Sequence, residues 1–151
     1  FNIINIFKGE TLFVSHKRKK QAKIKAKLKA ELSVNRKYRT TYTDIKKYFK
    51  IINEAVFDNL LSPFNEILIK QIRDREVKCM GQVVSWEWKR KGTRQYWLEM
   101  LPSYRSKQDF VDTLGHEMIH LYQMANVGDT GNHNETFYSF KKPMRQIGLN
   151  I

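Results

Sequence analysis

Residues 115–120 read GHEMIH and contain the pattern H-E-x-x-H. Positions four apart lie on one face of a helix, so His116 and His120 can present ring nitrogens to the same metal ion. Zinc binds imidazole nitrogens at about 2.0–2.1 Å and lowers the pKa of a bound water toward about 7. Glu117 would lie beside the ion without ligating it, where its carboxylate can take a proton from that water. The pattern therefore predicts a catalytic zinc site, with one zinc ion per chain.

A catalytic zinc site needs a third protein ligand, with one position left for water. The chain has four histidines, and His16 is distant in sequence, within a basic segment. His133 follows a loop with the sequence VGDTGN, which could turn the chain back over the zinc helix, and it is the expected third ligand. Glu135 is the alternative, and would give a site of two histidines and one carboxylate. A further alternative is that His116 and His120 are packed core groups that bind no metal.

The elements around this motif are predicted from their periodicity and turn signals. Ser106 and Asp109 form an S-x-x-D capping pattern for a helix over residues 107–126, which Gly128 and Gly131 end. Thr43 is expected to cap an earlier helix that runs to residue 60. Three strands are predicted at residues 66–72, 79–88 and 94–101. A last helix is predicted from residue 134 onward, and a short N-terminal hairpin at residues 1–15. This order favours an α+β domain with a small, mainly antiparallel sheet packed on helices.

Positive charge is concentrated at the N-terminus. The net charge is +13, with 12 Lys/Arg against 2 Asp/Glu in residues 1–39 and 16 against 13 in residues 40–151. Residues 17–32 are rich in helix formers, and Ile24, Leu28 and Leu32 give this cationic helix a thin apolar stripe. We interpret residues 1–39 as a basic arm or helix and residues 40–151 as the zinc domain. Such a segment indicates a polyanionic partner, nucleic acid before an anionic membrane, although a solvated helix is the alternative.

A second candidate nucleic-acid contact lies in the predicted hairpin. Trp86 and Trp88 point to one face of their strand, where bases could stack on the indoles. Three cations follow at the turn, although tryptophan packing with solvated turn charges would produce the same pattern. The expected ligand is DNA, including single-stranded DNA. The candidate contact residues are Lys17, Arg18, Lys19, Lys20, Lys23, Lys25, Lys27, Lys29, Trp86, Trp88, Lys89, Arg90 and Lys91.

Other features limit the classes of protein. One cysteine, Cys79, excludes an internal disulfide and a Cys-rich zinc ribbon within these residues, and is expected to be a buried apolar group. A single cysteine favours a reducing compartment. We therefore expect an intracellular location, cytoplasmic or nucleoid-associated, and this expectation is compatible with a component of a virion. No apolar run is long enough for a transmembrane segment. Three tyrosines are candidates for stabilising an oxyanion, Tyr104, Tyr122 and Tyr138.

The stretch from 110 to 137, FVDTLGHEMIHLYQMANVGDTGNHNETF, resembles the SprT-like (Spartan-like) zinc metallopeptidase domain, and the likeness extends over about residues 43–151. His133 begins the segment HNETF, in which Asn134 replaces the glycine usual in the family. Asparagine tolerates a left-handed backbone better than most residues. The resemblance implies a zincin-like fold, with His116, His120 and His133 as zinc ligands and Glu117 as catalytic base. It also implies a peptidase whose protein substrates are associated with DNA.

A second function remains open on the sequence alone. The domain could bind zinc for folding and serve as a structural or nucleic-acid-binding component of a larger assembly, for example a viral particle. A purely structural zinc site does not require a general base, so the presence of Glu117 favours the peptidase.

Overall fold

The computed structural model describes residues 3–72 and 79–151, with side chains described from residue 16 onward in the first range. The described residues form a mixed α+β fold in which small sheets pack on helices. The elements are α1 (Ile3–Leu32), β1 (Tyr38–Arg39), α2 (Tyr42–Phe57), β2 (Glu66–Ile69), β3 (Gly81–Trp88), β4 (Thr93–Met100), β5 (Ser103–Tyr104), α3 (Lys107–Leu121), a π-helical turn (Tyr122–Asn126), α4 (Glu135–Ser139) and α5 (Lys141–Gln146).

The main sheet has three strands in the order β2-β4-β3, so that β3 is an edge strand. The β3–β4 hairpin is antiparallel, with Gly81 opposite Met100 and Trp88 opposite Thr93. By contrast, β2 runs parallel to β4, and the two short strands β1 and β5 form a separate antiparallel pair. The predicted α+β class with a mainly antiparallel sheet is therefore confirmed, whereas the parallel strand and the second sheet were not foreseen.

The helix that carries the H-E-x-x-H motif begins as predicted. The Ser106 hydroxyl oxygen accepts a hydrogen bond from the Asp109 N–H at 3.1 Å. Along α3, Phe110, Leu114 and Met118 are fully buried, because positions three and four apart face the core together. The predicted helix over residues 107–126 is continuous, but after Leu121 it widens into the π-helical turn.

The start of α2 corrects one detail of the sequence prediction. Thr41, not Thr43, is the N-cap, and its side chain accepts a hydrogen bond from the Asp44 N–H at 3.2 Å. Both threonines are good caps, but only Thr41 has the extended backbone that an N-cap needs, since α2 already begins at Tyr42.

The basic N-terminal segment forms the long helix α1 and packs on the core. The hairpin predicted for residues 1–15 is wrong over residues 3–15, which are helical; residues 1 and 2 lie outside the described residues. Extending a helix costs less than nucleating a new element, and residues 17–32 supply a strong helix to extend. Leu28 is 1% exposed and Leu32 5%, so the predicted apolar stripe contributes to the same core as α2 and α3.

We expect Leu28→Ala to destabilise the protein by about 2–5 kcal/mol, because it leaves a cavity in a packed core. Leu60 is 59% exposed, and Leu60→Ala is the matched control, with an expected change within about 0.5 kcal/mol. Urea unfolding measures both. Equal effects of the two substitutions would show that α1 does not pack on the core in solution.

Candidate metal centre

Three histidine rings from two separate parts of the chain converge on one point. His116 and His120 lie one turn apart on α3, and their Nε2 atoms are 3.1 Å apart. The Nε2 of His133, from the loop before α4, is 3.2 Å from the Nε2 of His116. The potential ligand atoms of the three residues all lie within 4.8 Å of one another. These three histidines are therefore close enough to bind one metal ion.

The donor separations fit a tetrahedral ion. With zinc–nitrogen bonds of about 2.0–2.1 Å, two nitrogens of a tetrahedral site lie about 3.3 Å apart, close to the 3.1 and 3.2 Å of the two measured pairs. Glu135, the alternative third ligand, lies exposed in the first turn of α4. Among the described residues, the metal-binding group contains the three histidines and not Glu135.

The surroundings of His116 and His120 favour their neutral forms. Burial first, and then the neighbouring charges of His120 and His133, lower the pKa of His116 to about 4. Burial also lowers the pKa of His120. A neutral imidazole offers a lone pair, whereas an imidazolium does not. The cluster is thus suited to a cation at neutral pH, and the alternative of packed core histidines fails to explain three converging nitrogens.

Glu117 is a buried carboxyl beside this cluster. Its side chain is 5% exposed, and burial raises its pKa to about 8, against the opposing effect of a hydrogen bond from the Val83 backbone. A divalent cation nearby favours the ionised carboxylate. The group therefore has the pKa range of a general base that both accepts and returns a proton near neutral pH.

A cavity of about 680 Å³ connects α3 with the edge strand β3, and His116, Glu117, His120 and His133 are among the residues that line it. The two elements approach closely at Gly81. A Cβ atom there would lie 2.9 Å from Thr113 Cγ2 and 3.3 Å from Glu117 Cγ. The absent side chain allows the strand to pass directly over α3.

The segment after the loop is held by Asn134 and Phe137. Asn134 adopts an extended backbone (φ −102°) and caps α4, accepting a hydrogen bond from the Phe137 N–H. Asn134 therefore does not use the left-handed backbone that asparagine tolerates, and its side chain has the capping role instead. The Phe137 ring is 5% exposed, and its centroid lies 4.6–5.1 Å from those of the three histidines. It forms an apolar support for the cluster.

The three tyrosines suggested for oxyanion stabilisation lie outside the lining of the cavity. Tyr104 is buried, and its hydroxyl donates to the Met80 carbonyl at 2.6 Å and accepts from the Leu101 N–H at 3.0 Å. Tyr122 packs on Phe57 and Phe140, and Tyr138 is 55% exposed. Of the described residues that line the cavity, none is a tyrosine.

Cys79 also differs from expectation. It is half-buried rather than buried, lines the cavity, and its thiol donates to the Gly81 carbonyl.

Gln123, which sequence reasoning missed, accepts a hydrogen bond from the His120 ring. The spacing of three residues from His120 on the helix was the available signal.

The candidate nucleic-acid contacts are exposed. Trp86 and Trp88 are each 45% exposed and stack with centroids 6.3 Å apart, and Lys91 Nζ lies 5.6 Å from the Trp88 ring centre. The eight cations between residues 17 and 29 lie on the surface of α1. Two of them pair with acids at the C-terminal end of α2, Lys20 with Glu54 in the last turn and Lys17 with Asp58 just after the helix.

Comparison of the chain with protein-family models, with curated proteins and with solved structures gives no match in any of the three. Within the part of the chain that the structure describes, no helix is both long and apolar enough to cross a membrane.

Proposed function

We propose that this chain is a zinc-dependent metallopeptidase of the SprT-like kind, which hydrolyses peptide bonds in proteins associated with DNA. The observation that carries the proposal is the convergence of three histidine nitrogens beside a buried carboxyl on one cavity. The likeness of residues 110–137 to the SprT-like motif supports the choice of peptide hydrolysis among zinc chemistries.

In this proposal, His116, His120 and His133 would hold one zinc ion at the cavity that they line. Zinc bound there supplies a Lewis acid that activates water and polarises a peptide carbonyl. Glu117 accepts the proton of the attacking water and returns it to the leaving amine. The apolar surroundings that raise the pKa of Glu117 also strengthen its electrostatic interaction with the reacting groups.

The edge strand β3 supports an extended polypeptide as the substrate. Met80, Gly81, Gln82 and Val83 line the cavity, and among the strands that the structure describes β3 pairs with β4 alone. An unpaired strand edge presents N–H and C=O groups that can bind an extended chain through its backbone. A substrate held in this way would pass the histidine cluster with its carbonyl groups in reach of Glu117.

The alternative, a zinc-stabilised structural or nucleic-acid-binding component of a larger assembly, is less well supported. Structural zinc sites are closed by four protein ligands, whereas catalytic sites keep an open position. Within the described residues the cluster offers three ligands, and these line an open cavity together with a carboxyl that a structural site has no use for.

The proposal is tested by metal analysis of the purified chain and by a proteolysis assay. We expect one zinc per chain and cleavage of an unfolded protein substrate, faster when DNA carries both enzyme and substrate. Zinc binding without cleavage, with or without DNA, would instead support the structural alternative.

DNA is the proposed second partner because the chain has a cationic helix surface and an exposed aromatic stack. Tryptophan rings with free faces can stack on bases at about 1–3 kcal/mol per base, and lysines meet phosphates. On α1, Lys19 and Lys23 are exposed, and on a helix they lie on the side away from Leu28. They are therefore better placed for phosphates than Lys17 and Lys20, which pair with Asp58 and Glu54.

We expect single-stranded DNA to bind with two separable contributions. Replacing Lys19 and Lys23 with Gln should lower the affinity and reduce the slope against log salt by about 0.7 for each lost contact. Replacing Trp86 and Trp88 with Ala should lower the affinity and leave the slope nearly unchanged. Fluorescence anisotropy over a salt series measures both effects. Substitution is preferred to deletion of residues 1–39, because deletion would remove Leu28 and Leu32 from the core.

Tyr42 is 50% exposed on α2, and Tyr42→Ala is the control for loss of an exposed aromatic side chain. Wild-type protein without measurable affinity at low salt would contradict the DNA proposal, and the basic helix would then be better explained by an acidic protein neighbour or a membrane surface.

A further inference from the structure

Gln123 is a buried amide at the junction between the metal-site helix and the loop that carries the third histidine. It lies in the π-helical turn that follows α3 and is 0% exposed. Its hydrogen bonds join it to His120 before it and to Asp129, Asn132 and Asn134 after it. A wider turn at this point is the kind of helix irregularity that recurs at functional sites.

The side-chain oxygen of Gln123 accepts a hydrogen bond from the His120 ring, with 2.8 Å between Oε1 and Nδ1. Its amide nitrogen donates to the Asn132 carbonyl at 2.8 Å and to Asn134 Oδ1 at 3.0 Å. Both partners of the amide nitrogen are acceptors, and Asn134 Oδ1 also accepts from the Phe137 N–H. The orientation of the Gln123 amide is therefore fixed by the chemistry of its neighbours.

This orientation determines where the His120 ring carries its hydrogen. Because Gln123 Oε1 can only accept, Nδ1 of a neutral His120 carries the hydrogen, and Nε2 keeps a lone pair. That Nε2 atom is the one that lies 3.1 Å from His116 Nε2. The amide thus selects the tautomer in which His120 can bind a metal.

The same side chain fixes the third histidine. Asn132 and Asn134 are the residues on either side of His133, and both accept hydrogen bonds from the Gln123 amide nitrogen. The Gln123 main-chain oxygen also accepts from the Asp129 N–H at 2.7 Å, in the same loop. Hydrogen bonds on both sides of His133 therefore hold it against the π-helical turn that follows α3.

We propose that Gln123 is the positioning residue of the metal site, which sets the tautomer of His120 and holds the His133 loop in place with one side chain. The inference rests on the three histidines binding a metal, and it does not depend on what reaction follows. Outer-shell partners of metal-binding histidines orient the ring, and their loss typically lowers metal affinity about 10- to 100-fold.

The test uses Gln123→Met, which preserves the shape of the side chain and removes its hydrogen bonds. We expect zinc affinity, measured by competition with a chromophoric chelator, to fall about 10- to 100-fold. Gln123→Glu separates the two roles, because a carboxylate still accepts from His120 but cannot donate to Asn132 or Asn134. It should bind zinc more weakly than wild type and keep the His120 tautomer.

Asn53 provides a matched control far from the histidines in sequence. It is also a buried amide that fixes a loop, since it donates to the Leu61 carbonyl and accepts from the Leu61 N–H. Asn53→Leu should lower the thermal stability and leave zinc affinity within about twofold of wild type. This contrast distinguishes positioning of the metal ligands from general support of the fold.

The tautomer of His120 can also be measured in the wild-type chain, so this test does not require a substituted protein that folds. Long-range proton–nitrogen NMR of the metal-free protein should show the His120 hydrogen on Nδ1. A hydrogen on Nε2, or Gln123→Met with wild-type zinc affinity, would overturn the proposal. A wild-type chain that binds zinc but cleaves no protein would contradict the peptidase and leave the role of Gln123 intact.

Discussion

Replacing Glu117 with glutamine should lower peptide hydrolysis by about 10²- to 10⁴-fold, the range that general acid–base catalysis supplies, while zinc stays bound. Glutamine has nearly the same shape and can still accept the hydrogen bond from the Val83 backbone, but it cannot take a proton from water. Zinc content by elemental analysis and initial cleavage rates are the two measurements. Wild-type rates in a zinc-loaded variant would show that Glu117 is not the base.

The same substitution should change the pH dependence of stability in the metal-free protein. The folded pKa of Glu117, about 8, lies above its usual value of 4.5, so the folded state binds the proton more tightly. The protonated form of Glu117 therefore contributes to the free energy of unfolding. This contribution is fully present below about pH 4.5 and is lost as the pH rises to about 8. Between pH 5 and 8, metal-free wild type should therefore lose more free energy of unfolding than metal-free Glu117→Gln, by an amount on the order of a few kcal/mol.

Both forms share the other titrating groups of the cluster, including His116, so the difference between them isolates Glu117. Urea unfolding at the two pH values measures it. If the free energy of unfolding changes with pH equally in the two proteins, Glu117 is solvated in the metal-free state and its pKa is not raised.

Removal of zinc, or of one ligand, is the second change with a large expected effect. Chelation should abolish cleavage, and added zinc should restore it, because the three histidines alone cannot polarise a carbonyl. His133→Ala should weaken zinc binding by more than the roughly 10- to 100-fold typical for outer-shell partners, since it removes one of three direct ligands. Zinc at 100 times its dissociation constant should stabilise wild type by about 2.7 kcal/mol, and this shift should be lost in the variant.

His16→Ala is the matched control, because His16 is an exposed histidine on α1. It should leave zinc affinity and the zinc-dependent stability unchanged. Glu135→Ala addresses the alternative ligand directly. If Glu135→Ala loses zinc and His133→Ala retains it, the third ligand is the carboxylate and not the imidazole.

The sequence alone determined those parts of the site that depend on local geometry. His116, Glu117 and His120 lie within one helical turn, so the period of 3.6 residues places them on neighbouring faces in any helix that forms there. The Ser106 cap and the β3–β4 hairpin are also local, because each depends on residues close together in the chain. His133 was predicted because the chain offered few other histidines, and its position in space was left to the fold.

Only the tertiary structure decided how these pieces meet. The parallel pairing of β2 with β4, the β1–β5 pair and the packing of Leu28 on the core join residues distant in sequence, and no short stretch encodes such pairings. The continuation of α1 through residues 3–15 reflects cooperative helix growth from its neighbour. The roles of Gln123 and Gly81 became visible only when the loop of His133 and the strand β3 were seen against α3. A buried hydrogen bond or a close backbone approach is a relation between two segments, and a sequence pattern describes each segment on its own.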